Sequence, residues 1–454
     1  MSHLSQPAPE VFLGFEGPEK NLQVIFKQNI NPHSDNEKGQ NNLKNKKYQY
    51  AEKIKGEEKD RWSENEKNMN NNTNKTPKST KHISNPHDSE STKLSNTDDI
   101  YNNTLNPSEV DDLKHPRSLR SVTESRWSKT LSLAKCKILS SISNDNCTAF
   151  ILSESSLFVF DDRIVLKTCG TTPLLLALDD VFEVGRSCGL VPAAVLYWRK
   201  NLSEPWKQET VHQNFEREVE YLENRCGRRD NNKVAILGPR DKDHFCVFYS
   251  EMIPRDKFKP IFGTFEVKMH EIHPEKASEF NWESGFKRPE TINKIYGKLP
   301  KYKIDEFFFD PCGFSMNGIK GMDYETIHVT PEGSCSYVSF ETTDKKFMKS
   351  NEKIEEIVEI FKPFTFISVE ITSRREGADD LNSVNYGNNE SNIENDGIKC
   401  SNYDLIAKDS TTIGDIEIKF HLFETNEMHP MTNVAKRRQQ RIPLYKDVQS
   451  MKVS

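Results

Sequence analysis

Short strand-like runs recur through both halves of the chain, and they constrain its fold more than any other feature. Runs rich in β-branched and aromatic residues, such as Thr148–Leu152 (TAFIL) and Arg163–Thr168 (RIVLKT), are separated by short polar turns. Few segments show helical spacing of apolar residues, and the clearest is 352–361. Strands that are joined by hairpins and backed by a few helices form antiparallel layers. The pattern predicts an α+β fold, and its recurrence suits an internally duplicated unit.

Two Asn-rich segments, residues 28–117 and 379–397, contain almost nothing that a core could bury. Such segments do not repay the entropy of ordering their backbone, so the sequence predicts two disordered insertions. The remainder is long enough for one large domain or for two fused halves. We predict that this domain is assembled from three pieces and followed by a tail: a strand segment at 11–27, then 118–378 and 398–433, with the tail at 434–454.

The charge and cysteine content exclude several classes of protein. The chain has 63 basic and 69 acidic residues, a net charge of −6, which argues against a nucleic-acid-binding surface. It has no run approaching the ~18 apolar residues of a membrane span and no basic start followed by an apolar stretch. Its nine cysteines form no CxxC pair, which is typical of a reduced protein without a disulfide framework or metal site. We expect a cytosolic protein with neither a nucleic-acid nor a membrane partner.

Four small polar residues, SESS from Ser153 to Ser156, interrupt an apolar run in FILSESSLFVF. One interpretation is a tight hairpin turn whose side chains face water. The other is that a hydroxyl is held against the carbonyl of the preceding residue. Ser155 would then attack the Glu154 carbonyl in an internal acyl shift, helped by backbone strain.

A cysteine follows the next strand, in the segment LKTCGTT. We predict that Thr172 caps a helix with Pro173 at its first position, so that the helix dipole favours the thiolate of Cys169. A buried structural cysteine is the alternative.

Two later segments carry further polar side chains. DPCGFSMNG ends an aromatic strand in a Pro/Gly turn that presents Ser315, and TIHVTPE places His328 and Glu332 around a Thr-Pro turn. A histidine in a strand is otherwise a hydrogen-bonded core residue.

Together, the segments FEGPEK, LSESS, LKTCGTT, DPCGFSMNG and TIHVTPE resemble the eukaryotic S-adenosylmethionine decarboxylases, which carry them in this order. The resemblance covers the predicted ordered chain and skips both Asn-rich segments. It implies a four-layer αββα sandwich, with two antiparallel sheets flanked by helices. It also implies conversion of S-adenosylmethionine to its decarboxylated form and carbon dioxide for spermidine biosynthesis.

The resemblance implies that the protein makes its own cofactor. The chain would break between Glu154 and Ser155, and Ser155 would become a pyruvoyl group capping chain 155–454, with chain 1–154 still associated. His328 matches the base that removes the Cα proton of Ser155, and Ser315 matches a hydroxyl that holds the shift intermediate. Cys169 matches the proton donor of decarboxylation, where a thiol titrating near neutrality suits the task.

The resemblance also assigns the substrate site. It implies required carboxylates at Glu16 and Glu19, which we place near the positive sulfonium and amine of the substrate. It further implies that Phe15 and Phe309 contact the adenine and that Glu332 contacts the ribose. Leu152 and Glu154 would border the site.

Some members of the family bind putrescine in a buried acidic pocket, and this sequence keeps Glu266 and Glu341 there. Other positions of that pocket differ, namely Gln23, Leu196, Trp198, Phe262, Ile371 and Ile416. We therefore expect putrescine to stimulate weakly or not at all, because a dication needs several carboxylates to offset its desolvation.

Two alternatives stay open: a non-catalytic family member that activates a partner subunit, and a thiol hydrolase that uses Cys169 and His328. The resemblance is compatible with a homodimer and with a monomer.

Overall fold

The computed structural model of the chain describes residues 19–29, 118–202, 204–227, 232–254, 257–258, 263–281, 289–297, 301–332, 336–345, 351–373, 398 and 400–430. Apart from residues 28 and 29, the predicted insertions at 28–117 and 379–397 lie outside the described residues, as does the tail at 434–454. Within the described part, no helix combines the length and apolar character needed to cross a membrane. The eight described cysteines are free thiols.

The first sheet is formed by β1 (Lys20–Gln28), β2 (Ile138–Ser143), β3 (Thr148–Leu152), β4 (Ser155–Val159), β5 (Arg163–Thr168), β6 (Leu190–Lys200), β7 (Asn232–Leu237) and β8 (Phe245–Glu251). The strand order is β2-β3-β4-β5-β1-β6-β8-β7, and neighbouring strands are antiparallel. β1, which comes from the start of the chain, therefore lies in the middle of the sheet.

The second sheet is formed by β9 (Thr264–His270), β10 (Lys303–Phe308), β11 (Phe314–Lys320), β12 (Asp323–Thr330), β13 (Tyr337–Thr342), β14 (Thr365–Ser373), β15 (Tyr403–Ile413) and β16 (Ile416–Thr425). Its order is β10-β11-β12-β13-β9-β14-β16-β15, again antiparallel. Each strand has the same position in its sheet as the strand eight places earlier in the chain. This repeated topology confirms the predicted duplicated unit.

The described α-helices are α1 (Glu124–Leu133), α2 (Leu178–Ser187), α3 (Phe215–Cys226), α4 (Pro274–Ser278), α5 (Glu290–Gly297) and α6 (Asn351–Phe361). α2 and α3 contact the first sheet, whereas α6 contacts the second sheet and both α4 and α5. One apolar core joins side chains of α5 and α6 to alternate residues of β9, β11, β12 and β13. The four-layer αββα arrangement is confirmed.

Strand alternation divides the side chains of β9 between two environments. Phe265, Val267 and Met269 belong to the core shared with the helices, whereas Glu266 and Lys268 form contacts in the space between the sheets. A second apolar core occupies another part of that space and includes Phe158, Trp198, Tyr249, Ile371 and Phe420. The layer between the sheets therefore has an apolar region and a polar region, and the polar region holds the residues discussed below.

Two local predictions are wrong, and a third is right only in part. Ser315 is the second residue of β11 and does not lie in a turn, because the strand begins at Phe314. Thr172 caps no helix, since its hydroxyl donates to the Cys169 carbonyl and the chain forms a 3-10 turn over Leu174–Ala177 before α2. The predicted SESS turn is shorter than expected, because Ser155 already belongs to β4.

Candidate active site

His328 is fixed between the two sheets by hydroxyl groups. Ser315 on β11 is its cross-strand partner, and its Oγ lies 2.7 Å from Nδ1. Nε2 lies 2.9 Å from Thr326 Oγ1 and 3.1 Å from Ser156 Oγ, which comes from the first sheet. The two ring nitrogens therefore contact both sheets, and the ring has a defined orientation.

The environment of His328 keeps its imidazole neutral. Burial disfavours the charged ring, and although the Glu19 carboxylate opposes this effect, Lys167 and Lys268 add to it, so the pKa falls to about 4. At neutral pH the ring is unprotonated. A buried neutral imidazole with a fixed orientation can act as a general base.

The peptide bond between Glu154 and Ser155 joins a tight turn to β4. Ser155 is the cross-strand partner of Leu152, so only Ser153 and Glu154 lie between the paired residues. Ser155 has a φ of 133°, which is rare for any residue other than glycine. Strain of this kind costs about 1–3 kcal/mol and persists where the surrounding structure enforces it. The predicted cleavage site is therefore a point of backbone strain.

The Glu154 carbonyl accepts two hydrogen bonds from Cys169. The backbone N–H of Cys169 lies 2.9 Å from this oxygen, and Sγ lies 3.2 Å from it. Two donors on one carbonyl oxygen polarise the carbonyl and stabilise negative charge that develops there. The arrangement is that of an oxyanion hole at the predicted scissile bond.

Cys169 is a protonated thiol in this state. Burial raises the pKa of its thiol, and the charges of Glu154 and Glu19 raise the pKa further, to well above its ordinary value. The expectation of a thiolate, or of a thiol titrating near neutrality, is therefore wrong here. No helix begins directly after Cys169, and desolvation dominates its environment. A protonated thiol remains able to donate a proton.

Glu19 connects the serine to the histidine. The Ser155 hydroxyl donates to Glu19 Oε1 at 3.1 Å, and the same oxygen lies 3.9 Å from His328 Nε2. Burial alone raises the pKa of Glu19, but the charges of Lys167 and Lys268 outweigh burial and lower it to about 2. A carboxylate that is ionised at neutral pH therefore lies beside the predicted nucleophile.

Of the remaining predicted site residues, Leu152, Phe309 and Glu332 belong to the described part of the chain. Leu152 is buried at the end of β3. Phe309 and Glu332 lie in the segments that follow β10 and β12, both half-buried, and burial raises the pKa of Glu332. Phe15 and Glu16 lie outside the described residues. The substrate contacts predicted for these side chains stay predictions.

Three hydroxyl or amide side chains of the site were not predicted from the sequence: Ser156, Asn317 and Thr326. The Ser156 hydroxyl donates to Asn317 Oδ1 at 2.7 Å. Asn317 follows Ser315 by two residues and Thr326 precedes His328 by two, so strand alternation places them on the same face. That two-residue spacing is the feature of the sequence from which Asn317 and Thr326 could have been predicted.

Most of the altered putrescine positions are buried. Trp198 packs in the apolar core between the sheets with Leu196, Ile371 and Ile416, and its indole N–H donates to Glu266 Oε1 at 2.6 Å. Gln23 is buried on β1. Phe262 lies outside the described residues.

Comparisons of the sequence with known proteins identify one family. The sequence model of the adenosylmethionine decarboxylase family matches residues 103–424. The chain is 38% identical to the S-adenosylmethionine decarboxylase proenzyme of Dictyostelium discoideum over 250 residues, 55% of this chain and 65% of that protein. It is 38% identical to the proenzyme of Vicia faba over 259 residues, 55% of this chain and 72% of that one. The crystal structure of the Trypanosoma brucei AdoMetDC-delta26 monomer matches with a TM-score of 0.41 and 20% identity, over 60% of this chain and 99% of that chain.

Proposed function

Because the chain belongs to the adenosylmethionine decarboxylase family, we propose that it cleaves itself between Glu154 and Ser155 and then decarboxylates S-adenosylmethionine for spermidine biosynthesis. One observation carries the proposal: a strained serine follows a carbonyl that accepts two hydrogen bonds from Cys169. A simple hairpin turn requires neither feature.

The first step is an acyl shift from nitrogen to oxygen. The Ser155 Oγ attacks the carbonyl carbon of Glu154, while the N–H and thiol of Cys169 stabilise the charge on the carbonyl oxygen. The C–N bond then breaks, the nitrogen takes up the hydroxyl proton, and an ester joins Glu154 to Ser155. Glu19, which accepts the hydroxyl hydrogen bond, orients the attacking oxygen. The reaction also releases the strain at Ser155.

The second step is an elimination. The neutral His328 removes the Cα proton of Ser155, the Oγ–Cβ bond breaks, and Glu154 leaves as a free carboxylate at the end of chain 1–154. The dehydroalanine at position 155 takes up water and loses ammonia to become the pyruvoyl group. Ser315 orients His328 through Nδ1.

The same side chains serve the decarboxylation. The pyruvoyl group supplies a ketone that binds the amine of the substrate and withdraws electrons from the carbon that loses carbon dioxide. The protonated Cys169 returns a proton to that carbon. The ionised Glu19 offers a negative charge to the cationic substrate. Phe15, Phe309 and Glu332 hold the adenosyl part, and Leu152 and Glu154 border its site.

The strand pairing supports lasting association of the two cleaved chains. β1 belongs to chain 1–154 and pairs with β5 and β6 of chain 155–454 on both sides. β3 also belongs to the shorter chain, and it pairs with β4 of the longer one. Separation would break all three ladders and expose the middle of the sheet. We place this two-chain protein in the cytosol.

A denaturing gel of the purified protein tests the proposal. We expect bands for residues 1–154 and 155–454, with the longer chain blocked to Edman sequencing because its first residue lacks an amine. Mass spectrometry should place the cleavage after Glu154, and the protein should release carbon dioxide from labelled S-adenosylmethionine. Release of carbon dioxide by an intact chain would contradict the proposal.

Putrescine should stimulate self-cleavage and turnover weakly or not at all. The carboxylates that would bind a diamine already have partners: Lys167 pairs with Glu341, and Lys268 pairs with Glu266. Millimolar putrescine, compared with sodium chloride of equal ionic strength, checks this in a carbon dioxide release assay. A several-fold rise in either rate would show the expectation to be wrong.

A further inference from the structure

Five ionisable side chains form a buried charge cluster beside the proposed active site. The cluster consists of Glu19, Lys167, Glu266, Lys268 and Glu341, and none of these side chains is more than 1% exposed. It joins the two sheets, because Glu19 directly precedes β1 and Lys167 lies on β5 of the first sheet, whereas the other three come from the second. Burial of several charges is costly unless each has a partner of opposite sign.

Lys268 lies between two carboxylates of this cluster. Its Nζ is 2.8 Å from Glu266 Oε2 and 3.6 Å from Glu19 Oε2. Strand register aligns Lys268 on β9 with Ser339 on β13, and Ser339 with His328 on β12. Lys268 is therefore built into the row of side chains that contains His328.

The two oxygens of Glu19 have different partners. Oε2 lies 3.6 Å from the ammonium groups of both Lys167 and Lys268, whereas Oε1 accepts the hydrogen bond of the Ser155 hydroxyl. Lys167 also pairs closely with Glu341, the third carboxylate of the cluster. Lys268 therefore helps to fix the carboxylate that contacts the nucleophile.

We propose that Lys268 is a positioning residue for self-cleavage, whose ammonium group fixes the Glu19 carboxylate against the Ser155 hydroxyl. This inference rests on the proposed function and deepens it. Lys268 supplies a positive charge that belongs to the chain, so the site needs no diffusible cation for this purpose.

The electrostatics agree with this geometry. The charge of Lys268 lowers the pKa of Glu19 and also the pKa of His328. The charges that act on Glu19, His328 and Lys268 come from strands of both sheets. Their ionisable neighbours are Lys167 and Cys169 at β5, Glu266 and His270 on β9, and Tyr337 and Glu341 on β13. Loss of the Lys268 charge favours protonation of both Glu19 and His328.

The test is the rate of self-cleavage of Lys268→Met after cell-free translation, followed on gels between pH 3 and pH 9 so that the wild-type acid limb near pH 4 is included. We expect cleavage at pH 7 to slow by up to about a hundredfold, the loss that a misplacement of about 1 Å can cause. The acid limb of the pH profile should also move to higher pH, because Glu19 and His328 then bind protons more readily. Limited proteolysis at the same pH values separates this shift from acid unfolding, which a general loss of stability would move in the same direction.

Two further variants keep the test decisive. Lys200→Met is the matched control: Lys200 is another buried lysine, paired with Asp243 at 2.6 Å, and its loss should leave the profile unchanged. Lys268→Met combined with Glu266→Gln removes the ion pair without leaving the Glu266 charge unpaired, and this variant should fold and still cleave slowly.

The outcomes separate this inference from the proposed function. If both Lys268 variants cleave at the wild-type rate and with an unaltered pH profile, the role of Lys268 is overturned and the proposed function stays intact. A wild-type chain that never cleaves would overturn both.

Discussion

Ser155→Ala will leave the chain in one piece and will release no carbon dioxide from S-adenosylmethionine. The variant lacks the oxygen that attacks the Glu154 carbonyl, and alanine cannot become a pyruvoyl group. No neighbouring hydroxyl can replace it, because a ketone must form at the residue that heads the new chain. We expect a single full-length band on a denaturing gel and activity at background level.

Ser153→Ala is the matched control for this variant. Ser153 lies in the same turn, and its hydroxyl accepts a hydrogen bond only from the backbone N–H of Lys137 among its described contacts. This variant should cleave and decarboxylate as the wild type does. If Ser155→Ala still yields two chains, the break lies at another bond and the proposed chemistry is wrong.

His328→Ala will stop the reaction after the acyl shift. The serine and the oxyanion hole remain, so the ester can form, but no base removes the Cα proton of Ser155. Loss of a general base costs about 10²–10⁴-fold in rate. The variant should therefore accumulate the ester, and hydroxylamine should cleave it into two chains whereas the wild type no longer responds.

His429→Ala controls for loss of a histidine, since His429 contacts the Lys362 carbonyl outside the site. It should cleave at the wild-type rate.

In the wild type, cleavage should be constant near neutral pH and should fall as the pH drops through about 4, where His328 becomes protonated. An intact His328→Ala chain that resists hydroxylamine would show that His328 acts earlier than elimination.

The strand pattern predicted part of the fold closely. β3 and β5 begin and end at the predicted residues, because each is a short run of β-branched and aromatic residues between polar turns. β6 was not predicted, and Pro192 lies inside it. Proline cannot donate to a ladder, and here the register of β1 and β6 shifts between Ile25 and Phe26, next to the pair of Phe26 with Pro192.

The reactive residues were predicted with less physical support. Composition and spacing alone allowed Ser155 to be a turn residue, and only the ordered set of motifs indicated a role. The contacts that favour this role join residues far apart in the chain. Cys169 contacts the Glu154 carbonyl, and Glu19 contacts the Ser155 hydroxyl. No local pattern specifies such pairs.

The sequence by itself determined the alternation along β9, in which Phe265, Val267 and Met269 alternate with Glu266 and Lys268. Ordinarily, that pattern predicts a polar face in water, because charged side chains are rarely buried. Only the tertiary structure decided that this face packs against the first sheet, where Glu19 lies 3.6 Å from Lys268 and the charge of Lys167 lowers the pKa of Glu266. Pairing between distant strands, which no single segment encodes, turned a solvent-type pattern into the buried charges that surround Ser155.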